Sequence, residues 1–250
     1  MKKCLVLFIA MINVCIAFSQ TLKEKPALYS QPVHLIFKSM VGDSLLQTGV
    51  SYVNAFGEPF TVRAFKYYIS NIQLQYADSN TYKSITAPHL VNEADSTTKQ
   101  LSFTAPAGTI TRIQFLLGVD SIINTNGVQT GDLDPAKGMY WVWNTGYIMA
   151  KLEGTSPVAK TPGRQFSYDI GGYKKDENAA RKIVLSVPSA IPQETSLSKA
   201  NNIVIKADVL KWFTGANDIK ITEYPMCHEP GTLAMQIADN NEKMFSMIIE

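Results

Sequence analysis

The sequence FTVRAFKYYISNIQLQY, residues 60–76, is a long run rich in aromatic and β-branched side chains. In its second half Ile72, Leu74 and Tyr76 alternate with glutamines. Alternation of apolar and polar residues with a period of two is typical of a half-buried β-strand. The stretch therefore predicts a long strand with one face in a core, in a protein built mainly from β-structure.

Shorter runs of the same kind surround this stretch, and turn residues separate them. They lie at residues 32–38, 109–117, 141–152, 166–170, 182–187 and 203–209. From Thr232 onward the apolar residues take helical spacing, which predicts a helix of about three turns with Thr232 as its cap. The pattern predicts a mainly β fold, an antiparallel β-sandwich with long loops and a short C-terminal helix. No repeat or linker divides residues 20–250, which we expect to form a single domain.

The N-terminal residues have the composition of a secretory signal peptide. Lys2 and Lys3 precede an apolar run at residues 4–18, and Ala17-Phe18-Ser19 forms a small-x-small cleavage site. The sequence predicts a signal peptide over residues 1–19, cleaved after Ser19, and hence a periplasmic or secreted protein. The apolar run is short for a membrane span, and no second run of that length follows, so we expect no span in the mature chain.

Charge and cysteine content narrow the class of protein further. The formal net charge of +2 falls to zero when Lys2 and Lys3 leave with the peptide, so nothing electrostatic favours nucleic acid as a partner. Of the three cysteines only Cys227 remains after cleavage, which excludes an intramolecular disulfide. Stability must then come from a packed core, which a chain of this length can bury.

The sequence GVDSIINTNGVQTGDLDPAKGMYWVWNTGYIMAKLEG, residues 118–154, interrupts the strand patterns with a long loop, which usually has a functional or packing reason. Its first half offers oxygen ligands of the kind that Ca²⁺ prefers, namely Asp120, Asn124, Asn126, Asp132 and Asp134. Ile122 stands where a calcium loop needs an acid. Since Asp and Asn routinely cap turns, the turn interpretation is favoured over calcium.

Softer metal ligands lie elsewhere in the chain. Met226-Cys227-His228 lies between Pro225 and Pro230, ahead of the predicted helix, and His34 lies on the first predicted strand. Imidazole suits copper and zinc, and thioether and thiolate sulfur favour Cu(I). The soft metal candidates are therefore His34, Met226, Cys227 and His228, and of these we assign His34, His228 and Met226 as the metal ligands. The competing interpretation is that a single histidine on a strand is packed or hydrogen-bonded in place.

The common enzyme motifs are missing from the sequence. It has no G-x-S-x-G, no G-x-x-x-x-G-K, no G-x-G-x-x-G after a strand and no H-E-x-x-H. Cys227 precedes His228 directly, but neighbouring side chains on an extended chain point apart, so adjacency does not make a catalytic pair. No nucleophile, base and orienting group can be assembled, and we expect no enzyme.

Four separated segments resemble one known family. They are FKYYISNI at 65–72; LGVD at 117–120 with LDP at 133–135; GMYWVWNTGY at 138–147 with KLEG at 151–154; and IADN at 237–240 followed by Met244-Phe245. The chain resembles the MbnP-like family, the methanobactin-associated copper-binding proteins. The resemblance implies an exported β-rich protein that binds copper. It also implies that a tryptophan oxidised to kynurenine joins histidines in holding the metal.

Transferred to this sequence, the resemblance makes Trp141 and Trp143 the candidate kynurenine precursors. His34 and His228 lie where the family places histidines, and a di-haem peroxidase-like partner would oxidise the tryptophan. One position departs from the family: Asp169 stands in Phe166-Ser167-Tyr168-Asp169-Ile170-Gly171-Gly172 where an imidazole is expected. A carboxylate is a harder ligand and is less suited to Cu(I).

A function of another class also fits the sequence. In a non-catalytic extracytoplasmic β-sandwich module, with weak or no metal binding, the two indoles would serve as core. Trp141 and Trp143 are two residues apart, so on one continuous strand both would project to the same face and pack beneath the sheet.

Overall fold

The computed structural model describes residues 30–84, 87–144, 146–187 and 202–249. The predicted signal peptide lies outside these residues. The strands are β1 Ser30–Val41, β2 Ser44–Leu45, β3 Ser51–Val53, β4 Pro59–Tyr76, β5 Thr81–Lys83, β6 His89–Asn92, β7 Gln100–Pro106, β8 Ile110–Leu117, β9 Tyr140–Trp141, β10 Gly146–Thr155, β11 Gln165–Gly171, β12 Arg181–Ser186, β13 Asn202–Asp208, β14 Met226–Cys227 and β15 Phe245–Ile249. The α-helices are α1 Ser121–Thr125 and α2 Thr232–Asn241. In this part of the chain, no helix has both the length and the apolar character that crossing a membrane requires.

The strands form two sheets. The smaller sheet has the order β15-β13-β1-β2, with β7 also paired to β1. The larger sheet has ten strands in the order β12-β8-β4-β10-β11-β14; β3, β5 and β6 pair with β4, and β9 pairs with β10. The mainly β fold with a short C-terminal helix is confirmed. The pairings β1–β13 and β11–β14 are parallel, so both sheets are mixed.

The predicted long strand is β4, at the centre of the larger sheet. Its first half pairs with β10, and its second half pairs with β8 and the short β5. The register shifts between Ser70 and Gln73, and Asn71 in this interval has a φ of 52°. A bulge of this kind bends a strand and increases its twist. The bulge lies in the half of this 18-residue strand that pairs with β8.

The core lies between the two sheets. Phe37 of β1 and Phe245 of β15 pack edge-on against Tyr67 of β4, with ring centroids 6.3 Å and 5.4 Å away. Phe245 also meets Phe115 of β8 at 5.1 Å. Edge-to-face contacts of aromatic rings add to the burial of their apolar area. These rings are the interior layer of the sandwich.

The C-terminal helix packs against the larger sheet. Ala234, Ile237 and Ala238 of α2 are buried, which accounts for the helical spacing in the sequence. Arg181 of β12 forms an ion pair with Asp239 at 2.7 Å. The prediction that Thr232 caps the helix is wrong, because Gly231 is the N-cap and supplies no side chain, and Thr232 is the first helical residue.

Candidate metal centre

The segment Met226-Cys227-His228 lies at the edge of the larger sheet. Its first two residues form β14, parallel to β11, so that Cys227 lies opposite Tyr168. The Tyr168 hydroxyl donates a hydrogen bond to the carbonyl oxygen of Tyr224 at 2.8 Å. These contacts hold the segment between β11 and the start of α2.

An open cavity of about 490 Å³ lies next to this segment. Its lining residues are Trp143, Met226, Cys227, His228, Glu229, Pro230, Gly231, Thr232, Leu233 and Ala234. Two of the three predicted metal ligands, Met226 and His228, therefore lie on one cavity with one of the two predicted tryptophans. His228 and Met226 are both exposed to solvent.

The two tryptophans have different environments. Trp141 ends β9 and is 5% exposed, whereas Trp143 lies in the turn before β10 and is 65% exposed. The chain turns between them, so the expectation that both indoles pack beneath the sheet holds for Trp141 alone. A second cavity of about 130 Å³ lies beside the first, and Trp143, Glu229 and Pro230 line both. Trp143 is thus part of the wall between two cavities.

A glycine on β11 makes room for the buried indole. A Cβ atom at Gly171 would lie 2.6 Å from Cζ3 of Trp141 and 3.0 Å from the carbonyl oxygen of Tyr147. Separations below 3 Å are steric overlaps, so a side chain at this position would displace the ring or the strand. The sequence marks this site only as the Gly171-Gly172 pair.

The thiol of Cys227 is 5% exposed. Burial raises its pKa to about 11, with contributions from the nearby Asp169 and Glu229 carboxylates, against a hydrogen bond from the Glu229 backbone. The thiol is therefore protonated near neutral pH, whereas the thiolate is the form that binds metals. The thioether of Met226 is a donor on this segment that has no proton to lose.

Asp169, which stands in place of the imidazole expected from the resemblance, has an ionic partner. Its carboxylate oxygen lies 2.9 Å from the Lys151 ammonium on the neighbouring strand β10. Both side chains are mostly buried, and Lys151 also pairs with Glu153 at 3.2 Å. The carboxylate thus balances a lysine charge within the sheet.

The other two histidines lie elsewhere. His34 of β1 is in the smaller sheet, where its Nδ1 lies 2.7 Å from the Ser102 hydroxyl, and it does not line the cavity. Its assignment as a ligand stays a prediction that the observed geometry does not support. His89 lies between Asp132, 3.1 Å from its Nδ1, and the carbonyl oxygen of Thr98, 2.7 Å from its Nε2. Both of its ring nitrogens are engaged in structural contacts.

The acidic half of the central loop organises turns. Asp120 accepts from the backbone N–H of Ile123 at 2.9 Å and caps α1, and Asp134 accepts from Ala136 at 2.8 Å. Asp132 accepts from the backbone of Leu90 at 3.1 Å. Burial raises the pKa of Asp132, but hydrogen bonds from Leu90 and Lys137 and the charge of neighbouring groups lower it overall. The turn interpretation is confirmed for Asp120 and Asp134, whereas Asp132 ties the loop to β6 and does not cap a turn.

Within the described ranges no group of three or more His, Cys, Asp and Glu side chains is placed to hold a metal ion. A metal at the cavity would instead use a mixed set in which thioether sulfur joins one imidazole. Such a set is softer than an all-oxygen or all-histidine site and matches copper better than calcium. The residues at the cavity therefore fit copper in donor type, while their number falls below four.

The fold and the site define a class of protein: a two-sheet β protein with a cavity at one sheet edge that is lined by soft metal donors. Residues 30–229 match the MbnP family. The chain belongs to the MbnP family.

A solved structure supports the same fold. MbnP from Methylosinus trichosporium superimposes with a TM-score of 0.55 at 14% sequence identity, covering 76% of this chain and 80% of that one. No curated protein matches the chain.

Proposed function

We propose that this protein is an exported copper-binding protein in which His228 and Met226 hold copper beside Trp143. The observation that carries the proposal is the cavity of about 490 Å³ that all three residues line, although Trp143 comes from a distant part of the sequence. Membership of the MbnP family supports a copper-related role. As a copper carrier the protein needs no catalytic machinery, and we expect none.

The donor set explains why an oxidised tryptophan would matter. An intact indole offers an N–H donor and no lone pair in the ring plane for a metal. Kynurenine, the ring-opened product, carries an aromatic amine and a ketone oxygen. With Met226 and His228 these groups would bring the protein donors closer to the four that are usual for a closed site.

Exposure distinguishes the two candidate tryptophans. Trp143 is 65% exposed and lines both cavities, whereas Trp141 is 5% exposed. An oxidising partner, which the family resemblance suggests is a di-haem peroxidase-like protein, would reach Trp143 without opening the fold. We therefore assign Trp143 as the precursor and Trp141 as its support.

The test is made on protein isolated from its own cells. Copper is measured in the purified sample, and the peptide that contains Trp141 and Trp143 is sequenced by mass spectrometry. We expect stoichiometric copper and the mass of kynurenine at position 143. Absence of both copper and oxidation would overturn the proposal, and oxidation confined to position 141 would overturn the assignment of Trp143.

One observation favours the second candidate, a non-catalytic binding module with weak metal affinity. Asp169 occupies the position where the family resemblance calls for an imidazole, and its carboxylate is paired with Lys151 at 2.9 Å. Titration of the purified protein with Cu(I) against a chromophoric chelator separates the two candidates. If a chelator at the same concentration as the protein removes all of the Cu(I), the result favours the non-catalytic binding module.

A further inference from the structure

The segment that carries Met226 and His228 has little regular structure of its own. Between Trp212 and α2 the only strand is the two-residue β14. A backbone with so few ladder hydrogen bonds takes its position from contacts with the rest of the fold. The contacts of residues 219–225 therefore decide where the candidate ligands lie.

The most distant of these contacts comes from Glu58, in the turn before β4. Its carboxylate accepts hydrogen bonds from the backbone N–H groups of Ile221 at 2.8 Å and Thr222 at 2.9 Å. It also accepts from the Thr222 hydroxyl at 2.5 Å and from the Asn54 side chain at 2.7 Å. Four donors thus converge on one side chain that is 6% exposed.

Glu58 is a buried carboxylate that forms no ion pair with the residues that the structure describes. The nearby cation is Lys220, which pairs with Glu223 of the same loop at 2.8 Å; Glu223 raises the pKa of Lys220 most, and the charge of Glu58 also helps to raise it. Burial raises the pKa of Glu58, but the hydrogen bonds from Thr222, Asn54 and the backbone outweigh it, so the pKa lies below its ordinary value. Burying a charge is expensive unless hydrogen bonds satisfy it, so this arrangement depends on all of its donors.

Hydrogen bonds to other parts of the fold hold the chain at several positions between Thr222 and Met226. Thr222 is held by Glu58, Tyr224 by the hydroxyl of Tyr168, and Pro225 by the backbone N–H of Ser167 at 2.9 Å. Met226 follows directly. Because Glu58 is the only charged group in this series, its bonds are the strongest of them.

We propose that Glu58 is a positioning residue for the metal-binding loop, fixing Ile221 and Thr222 so that Met226 and His228 line the same cavity as Trp143. The inference rests on the proposed copper site for its function. Its structural part, the placement of the loop, can be measured without metal.

The first experiment compares Glu58→Gln with the wild type by amide hydrogen exchange in the metal-free protein. The Gln side chain keeps the volume of Glu58 but presents an NH₂ group to donors. We expect faster exchange at residues 221–231 and unchanged exchange in the centre of β4. If the faster exchange stops at Thr222 and leaves residues 226–231 unaffected, the proposal is overturned, because Tyr168 and β11 then suffice to hold the ligands.

The second experiment measures Cu(I) affinity in competition with a chromophoric chelator. We expect Glu58→Gln to bind copper about tenfold more weakly or worse, as is usual when a group that orients ligands is lost. Glu223→Gln removes an exposed carboxylate from the same loop and is the matched control for charge. Leu74→Ala, in the core on the second half of β4, is the control for general loss of stability.

These controls separate positioning from folding. The two variants are compared under conditions where each has lost the same free energy of unfolding. If Leu74→Ala then weakens copper binding as much as Glu58→Gln does, a specific role for Glu58 is disproved. If the wild type binds no copper, the proposed function fails, while the exchange result still decides whether Glu58 holds the loop.

Discussion

Trp143 lies against Trp141 with 5.5 Å between ring centroids and 38° between ring planes, yet one indole is 65% exposed and the other 5%. The buried ring is fixed by β9 and Gly171, so the exposed ring rests on a rigid support. This pairing of a fixed and an accessible indole is the reason that we separate their roles.

The first prediction concerns these roles. Trp143→Phe is expected to abolish kynurenine formation in protein isolated from its own cells, with little change in stability, because the side chain is largely in solvent. Trp141→Phe should retain oxidation at Trp143 and lower the free energy of unfolding by about 1–3 kcal/mol, since it leaves space in the core. Peptide mass spectrometry and urea unfolding measure the two effects. Equal oxidation in both variants would contradict the separation.

The second prediction concerns the histidines. His228→Ala should weaken Cu(I) binding by about tenfold or more, because a direct ligand matters at least as much as the groups that orient it. Met226→Ala should act in the same direction. His34→Ala should leave the affinity unchanged, since His34 is bonded to Ser102 on the smaller sheet. Competition with a chelator provides the affinities, and a loss in His34→Ala as large as in His228→Ala would place the site elsewhere.

The strands could be predicted from the sequence, because their two-residue period depends only on local pattern and on burial of one face. Residues 60–76 and the observed β4, Pro59–Tyr76, differ by one residue. The parallel pairing of β1 with β13 could not be predicted, because it joins strands that are far apart in the sequence. Spacing within a strand does not show which strand lies beside it.

The sequence was enough to predict which residue types form the candidate site, but not how those residues are arranged in space. Met226 and His228 lie together because they are neighbours in sequence, but the place of Trp143 on the same cavity depends on the turn after Trp141. The expectation that Trp141 and Trp143 share a face required a continuous strand, and the chain turns there. Glu58 gives no signal in the sequence beyond a Glu-Pro turn, because its partners in the metal-binding loop, Ile221 and Thr222, lie more than 160 residues away.

The third prediction tests the support of Trp141. Gly171→Ala would place a methyl group 2.6 Å from Cζ3 of Trp141. This atom belongs to the indole and is absent from phenylalanine. We expect Gly171→Ala to lower the free energy of unfolding by about 1–3 kcal/mol and to shift tryptophan fluorescence. In the Trp141→Phe background the same substitution should cost less, so a double-mutant cycle measures the contact. A cost that is the same in both backgrounds would show that the methyl group clashes with the strand and not with the ring.

The fourth prediction concerns pH. Burial raises the pKa of the Cys227 thiol from its ordinary value of 9.0 to about 11, so the folded state keeps a proton that the unfolded state releases. Below pH 9 the thiol is protonated in both states, so it does not change the free energy of unfolding. As the pH rises from 9 towards 11 the thiol ionises only in the unfolded state, and the free energy of unfolding falls. Two pKa units correspond to about 2–3 kcal/mol. Urea unfolding of the wild type and Cys227→Ala at pH 7 to 11 measures the difference between them.

Cys227→Ala removes this titration but keeps the buried tyrosines, whose pKa values are also raised by burial. Tyr67 and Tyr68 have no contribution from Cys227 and affect both proteins alike, whereas the charge of Cys227 adds to the raised pKa of Tyr168. The stability of the wild type relative to Cys227→Ala should therefore be constant from pH 7 to 9 and fall between pH 9 and 11. A constant difference over the whole range would mean that the thiol opens to solvent before it ionises. In that event alkylation by iodoacetamide, which we expect to be slow at pH 7 because the thiol is buried and protonated, would instead be fast.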